Sequence, residues 1–299
     1  MALFNKLVVL LLPIIPKPIV GVFAKRYVAG SKLEDAVRVV KELNSRNIYA
    51  TIDVLGENIK KVEQTQKFVE AYFNVLDTIH DKHLNSNISL KPTQMGLKLD
   101  PEICFNNISN ILKKAHDYNI FVRIDMEDSS CTTDTINLYL RLCKNFTNLG
   151  LVIQSYLRRS VNDVLALAEM KANFRICKGI YIESRQIAYK DGEIVNNNFI
   201  FLTELMLKNR CYVGIATHDE KLVWQAYRLI HELKLRRDEY EFQMLLGVDE
   251  QLRNIIVNDG HKMRVYVPFG KEWYPYCVRR IKENPRIAYY ALRSIFGKK

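Results

Sequence analysis

Four short runs place ionisable or amide side chains inside stretches that are otherwise apolar: Val-Arg-Ile-Asp-Met-Glu-Asp over 122–128, Arg-Ile-Cys-Lys-Gly-Ile-Tyr over 175–181, Ala-Thr-His-Asp-Glu over 216–220 and Glu-Phe-Gln-Met-Leu-Leu-Gly over 241–247. Burying an ionised group is costly unless it is paired, so these side chains must compensate one another or a ligand. Lys91, Asp125, Glu127, Arg175 and Lys178 are expected to converge on one pocket, polar and mixed in charge but leaning basic. Such a pocket suits an anionic or phosphate-bearing ligand. A divalent metal held by Asp125, Glu127, His218 and Asp219 is a second reading, that of a metal-assisted hydrolase. The cations Lys91, Arg175 and Lys178 beside that set oppose it.

These residues need elements to hold them. Eight runs rich in Val, Ile, Tyr and Phe recur along the chain: 48–54, 87–90, 120–126, 150–155, 174–181, 212–217, 240–246 and 263–269. A stretch of helical spacing follows each, as over 100–119, 133–145, 161–171, 198–209, 219–235 and 250–259. Strand alternating with helix implies a parallel sheet, and eight such units are the inventory of a (β/α)8 TIM barrel. In that architecture chemistry sits at the carboxyl ends of the strands. Those ends are Asp53, Lys91, Asp125 with Glu127, Gln154, Lys178 with Tyr181, Thr217-His218-Asp219, Gln243 and Tyr266. No two glycines stand as G-x-G, and G-x-x-x-x-G-K-[ST], G-x-S-x-G and H-E-x-x-H are all absent. Rossmann and P-loop nucleotide binding are therefore excluded.

A last helix is expected from Lys271, stopping before Pro285. Tyr276, Arg279, Arg280 and Glu283 share one of its faces at spacings of three and four. Two readings stand side by side: a solvated charged face, or a pair of guanidinium forks gripping a small carboxylate beneath an aromatic ring.

The net charge of +11, from 44 Lys and Arg against 33 Asp and Glu, is concentrated at the two ends. Residues 1–30 carry Lys6, Lys17, Lys25 and Arg26 with no acid, residues 251–299 carry eleven basic residues against three acidic ones, and 31–250 is close to neutral. A basic nucleic-acid-binding protein is thus an alternative, but the charge is terminal and no RNA or DNA motif accompanies it. The apolar run 7–15 is too short to span a bilayer. Lys25 and Arg26 stand where a signal-peptide cleavage site should be small and neutral. Six cysteines without a C-x-x-C pair point to a reducing, cytoplasmic compartment. The expected organisation is a basic, apolar N-terminal segment over 1–30 and one catalytic barrel over 31–299.

The strand endings Ile88-Ser-Leu-Lys91, Arg123-Ile-Asp-Met-Glu-Asp128, Lys178-Gly-Ile-Tyr181, Ala216-Thr-His218 and Glu241-Phe-Gln243 resemble those of proline dehydrogenases of the short, monofunctional bacterial type. Tyr276-Cys-Val-Arg-Arg280 and Lys25-Arg-Tyr-Val-Ala-Gly30 extend the resemblance over nearly the whole chain. It implies a distorted (β/α)8 barrel with an N-terminal helical segment and a C-terminal helix carrying Arg279 and Arg280. The activity implied is oxidation of L-proline to 1-pyrroline-5-carboxylate with non-covalent FAD, without a metal, and with electrons passed to a quinone.

By the same resemblance, Arg279 and Arg280 would hold the proline carboxylate, and Lys91, Tyr266 and Tyr276 would complete the substrate pocket. Asp125 would orient an arginine and the substrate, and Arg175 would lie near the reactive flavin nitrogen, stabilising the reduced, anionic ring. Met126, Gln154, Lys178, Gly179, Ile180, Thr217, His218 and Glu283 match FAD-contacting positions. Ile180, where alanine is usual, and Ile182, where a larger residue is frequent, depart from the pattern. An enzyme that delivers electrons to a quinone would use its basic ends for peripheral docking on an anionic inner-membrane surface.

Overall fold

The computed structural model describes residues 26–56 and 59–283 together with Gly21 and Ala24, and side chains as far as Val278. Eight parallel strands close on themselves in chain order: β1 (Tyr49–Val54), β2 (Ser86–Leu90), β3 (Val122–Ile124), β4 (Leu149–Gln154), β5 (Phe174–Cys177), β6 (Val213–Ala216), β7 (Tyr240–Leu245) and β8 (Met263–Phe269), with β8 pairing back onto β1. A helix, α1 (Leu33–Asn44), precedes β1. Between the strands lie α2 (Glu63–Asp81), α3 (Pro101–Asp117), α4 (Thr132–Leu142), α5 (Ser160–Ala168), α6 (Gly192–Lys208), α7 (Glu220–Glu232) and α8 (Glu250–Asn258), and α9 (Trp273–Glu283) follows β8. This is the expected (β/α)8 barrel. Gly21, Ala24, Arg26 and Tyr27 are helical; of the N-terminal segment expected over 1–30, residues 1–20, 22, 23 and 25 lie outside the described residues.

Several element boundaries differ from expectation, and the helices expected over 133–145, 161–171 and 219–235 each end three residues early. β3 ends at Ile124 and β5 at Cys177, each about four residues short at most. After β5 the chain turns at Gly179, whose φ of +102° is left-handed and whose missing Cβ leaves room for the Tyr156 ring. α6 starts at Gly192, well before Asn198, because the Asp191 carboxylate accepts from the backbone N–H groups of Glu193 and Ile194. An Asp-Gly pair that reads as a turn is here an N-cap and the first helical residue.

Strand side chains alternate between two environments. Ala50, Ile52, Ile88, Leu90, Val122, Ile124, Leu151, Ile153, Ile176, Ile215, Val265 and Val267 are buried in the apolar core between barrel and helices. Their sequence neighbours Thr51, Asp53, Ser89, Arg123, Arg175, Glu241, Gln243 and Arg264 are equally buried but polar. They face the lumen, since hydrogen bonds join Asp125, just past β3, to β8, and join β5 to β7 and β2, pairs that are not neighbours in the sheet. Gly214 permits one of these crossings: a Cβ there would overlap the Gln243 carboxamide.

Inside the lumen Glu241 accepts from Arg264 Nε at 2.6 Å and from Arg264 Nη2 at 3.0 Å. Burial alone would raise the Glu241 carboxyl, but Arg264 and then Lys262 outweigh it and hold its pKa down to about 2. A carboxylate depressed in the folded state stabilises fully above its ordinary value of 4.5 and loses that contribution as pH falls from 4.5 towards 2. Glu241→Gln should therefore cost about 3 to 5 kcal/mol near pH 7, since it strands a buried guanidinium. The gap to wild type should narrow as pH falls from 4.5 and be smallest near pH 2, as followed by denaturant unfolding at a series of pH values. A gap independent of pH would contradict the pairing.

Candidate active site

β1, β2, β3, β5, β7 and β8 and the residues just past them bring seven side chains, Asp53, Ser89, Lys91, Asp125, Arg175, Gln243 and Tyr266, into one hydrogen-bonded cluster. Asp125, first residue beyond β3, is its hub. One carboxylate oxygen accepts from Ser89 Oγ at 2.5 Å and Arg175 Nη1 at 2.8 Å, and the other from the Tyr266 hydroxyl at 2.9 Å. Lys91 Nζ stands 3.9 Å from the second oxygen. Lys91 is itself fixed by Asp53, donating to both of that residue's carboxylate oxygens at 2.7 and 2.9 Å. Arg175 is steadied from behind by Nε–H donation to Gln243 Oε1 at 2.5 Å and lies 5.4 Å from the centroid of the Tyr266 ring.

Asp53 is wholly buried, and burial pushes its carboxyl above the ordinary range, with Lys91 opposing the shift and Asp125 adding to it. The Tyr266 phenol is pushed well up, first by burial and then by the Asp125 carboxylate beside it. Tyr266 therefore stays protonated and donates. The cluster balances two carboxylates, Asp53 and Asp125, against two cations, Lys91 and Arg175, as buried charges require.

The other expected residues lie around this cluster. Met126 is buried beyond β3, and its carbonyl, with that of Glu127, accepts from Gln154 Nε2 at 3.3 and 3.2 Å. Gln154 Oε1 is buried with no partner among the described residues. Thr217 Oγ1 accepts from the Asp219 N–H, and His218 Nε2 accepts from the Leu245 N–H at 2.8 Å, so that nitrogen carries no proton. Ile180 is half-buried, whereas Ile182 is 95% exposed and has little around it to repack. Tyr276 is buried on α9, close enough to Tyr266 to contribute to its raised pKa. The side chains of Arg279, Arg280 and Glu283 lie outside the described residues.

Two expectations are corrected. Glu127 turns from the cluster to Thr93, accepting from its N–H at 3.0 Å and its hydroxyl at 2.6 Å. Lys178 pairs with Asp219 at 2.8 Å on the rim, where Asp219 caps α7. The proposed metal set is thereby divided: Asp125 serves Arg175, Glu127 serves Thr93, His218 serves Leu245 and Asp219 serves Lys178. Among the described residues no group of three or more His, Cys, Asp and Glu could hold a metal ion. Sequence reasoning left Ser89 and Tyr72 out of the site. Tyr72, on α2, donates to the Ser89 carbonyl at 2.7 Å and braces Asp53 at 3.4 Å. Ser89 carries a signal, as a polar residue within an apolar strand; Tyr72, on a helix, carries none.

A family model described as proline dehydrogenase matches residues 36–289. The chain belongs to the proline dehydrogenase family. Proline dehydrogenase 1 of Bacillus subtilis is 37% identical over 275 residues, which cover 92% of this chain and 91% of that one. The proline dehydrogenase of Deinococcus radiodurans is 32% identical over 277 residues, covering 91% and 89%. In fold, this proline dehydrogenase family member is similar to proline utilization A from Bdellovibrio bacteriovorus inactivated by N-propargylglycine, with a TM-score of 0.82 at 24% identity. That alignment covers 88% of this chain and 32% of the larger protein.

Proposed function

We propose that this chain oxidises L-proline to 1-pyrroline-5-carboxylate with FAD as the bound oxidant and passes the electrons to a quinone. The observation that carries the reading is the Asp125 hub, with Arg175, Tyr266 and Lys91 held around it at the strand ends of a family member. The residues present suit FAD. Gln154 Oε1 is a buried acceptor with no protein donor among the described residues, and Lys178 supplies a cation on the rim. FAD would be held by Met126, Gln154, Arg175, Lys178, Gly179, Ile180, Thr217, His218 and Glu283. When bound, it supplies the hydride acceptor.

The chain's own task is orientation. Oxidation takes a hydride from a proline ring carbon and a proton from its nitrogen, leaving a C=N bond and needing no protein nucleophile. Arg279 and Arg280 on α9 would clamp the carboxylate, with Tyr276, Tyr266 and Lys91 closing the pocket around the ring. Asp125 fixes the Arg175 guanidinium, and the Asp53–Lys91 pair keeps a second cation from swinging away.

Among the described residues no helix is long and apolar enough to cross a membrane. Docking through the basic ends would bring the site to a membrane quinone. Holoenzyme supplied with L-proline and a quinone in lipid vesicles should reduce the quinone, faster on anionic than on neutral vesicles, with the difference vanishing in high salt. No proline-dependent reduction on either vesicle would overturn the function. Equal rates on both would remove the docking alone.

A further inference from the structure

The opposite mouth of the barrel, where the strands begin, holds a cavity of about 600 Å³. On β1 its Tyr49 precedes Asp53 of the active cluster by four residues, about 13 Å along a strand. The cavity is therefore a separate space from the strand-end site. Its size falls within the range of small-molecule sites.

Its charge is unbalanced. Arg123, Lys262 and Arg264 line it together with a single carboxylate, Glu241. Glu241 is shared between Arg264 at 2.6 Å and Lys262 at 3.5 Å. Arg123 forms no ion pair among the described residues: it is 2% exposed, its guanidinium donates there to the carbonyls of Leu151 and Asn173 and to the Asn173 side chain, and its Nε has no partner. Burial and the neighbouring Arg175 hold the Arg123 pKa down to about 9, against the pull of Glu241. A buried cation without a direct ion-pair partner is expensive, and this lumen keeps one beside a cavity.

Donors and flat walls complete the setting. Lys262 is loosely held, 3.3 Å from the Tyr212 hydroxyl and over the Tyr49 ring at 4.9 Å. Asn87 accepts from Thr51 through Oδ1, and its amide N–H groups donate to nothing among the described residues. His80 stacks on Tyr118 at 4.2 Å on one side of the cavity. Nearby Asp77 is already taken, accepting from Lys114 and from the Tyr118 hydroxyl. Arg123, Lys262 and Arg264 against Glu241 leave the lining of the cavity with a surplus of two positive charges.

We propose that the amino-terminal mouth of the barrel is a second ligand site, built for a small dianion bearing carboxylate or phosphate oxygens. The dianion compensates Arg123 and Lys262, takes the free Asn87 donors and lies against the His80–Tyr118 stack. This site does not depend on the proline reading, because none of its residues belongs to the strand-end cluster.

Calorimetric titration of the holoenzyme with inorganic phosphate and, separately, with succinate tests it, using chloride at matched ionic strength as the control. One saturable site per chain is expected for at least one probe, and the probe that binds tells a phosphate ligand from a dicarboxylate. Affinity should fall about tenfold or more in Lys262→Ala. It should fall likewise in Asn85→Asp, which puts a carboxylate on the exposed lip without disturbing the backbone bonds of Asn85 to Asn44. Arg280→Ala, at the expected proline carboxylate clamp, should leave the affinity unchanged, and Lys262→Ala should still oxidise proline. Three results would overturn the proposal: no saturable binding of either probe, unchanged affinity in both mouth variants, or binding abolished by Arg280→Ala.

Discussion

Asp125→Ala should lower kcat/KM for L-proline by at least about a hundredfold, or ~2.7 kcal/mol, while the protein still folds and retains FAD. The size follows from what the carboxylate does. It accepts from Arg175, Tyr266 and Ser89 and stands 3.9 Å from Lys91. Truncation leaves a buried guanidinium short of its counter-charge and frees the Tyr266 hydroxyl, so two walls of the proposed substrate pocket lose their aim. Asp125→Asn keeps an acceptor but not the charge, and should fall between wild type and alanine. Steady-state kinetics of the three proteins, with flavin content measured on each, checks this. Wild-type kinetics in Asp125→Ala would show that the hub is structural only.

Arg280→Ala, and equally Arg279→Ala, should weaken L-proline binding by about 2 to 5 kcal/mol, roughly thirtyfold to several thousandfold. The argument combines family membership with the placement of α9. The helix follows β8, which carries Tyr266, and it buries Tyr276 close to that ring. The next turn of the same helix carries both arginines. A bidentate guanidinium fork recognises a carboxylate in a way that a lysine cannot replace, so Arg280→Lys should recover little. Equilibrium binding of a non-oxidisable proline analogue, with FAD absorbance as a check on folding, isolates the effect. An affinity within threefold of wild type in both alanine variants would remove the clamp.

The alternation of apolar strand runs with helical stretches made all eight strands and the barrel legible from residue types alone. The register of chemistry within it was less so. In the run over 122–128, Arg123 and Asp125 lie two residues apart on one face, yet Asp125 belongs to the carboxyl end and Arg123 to the opposite mouth. Periodicity gives the face of a strand but not the depth in the lumen at which a side chain meets its partner, which depends on strand tilt and stagger. Glu127 shares the same spacing, but the strand has ended at Ile124, so alternation no longer governs where it points. Asp53 and Gln243 were visible as polar strand ends. Their partners, Lys91 and Arg175, come from other strands, and no short-range spacing links them.

The most direct test of the proposed activity is an anaerobic titration of the purified protein with L-proline, followed by absorbance. The account predicts a yellow protein whose flavin bands bleach as proline is added, with 1-pyrroline-5-carboxylate formed in step. A flavin spectrum that proline leaves unchanged, or a protein that binds no flavin, would contradict it.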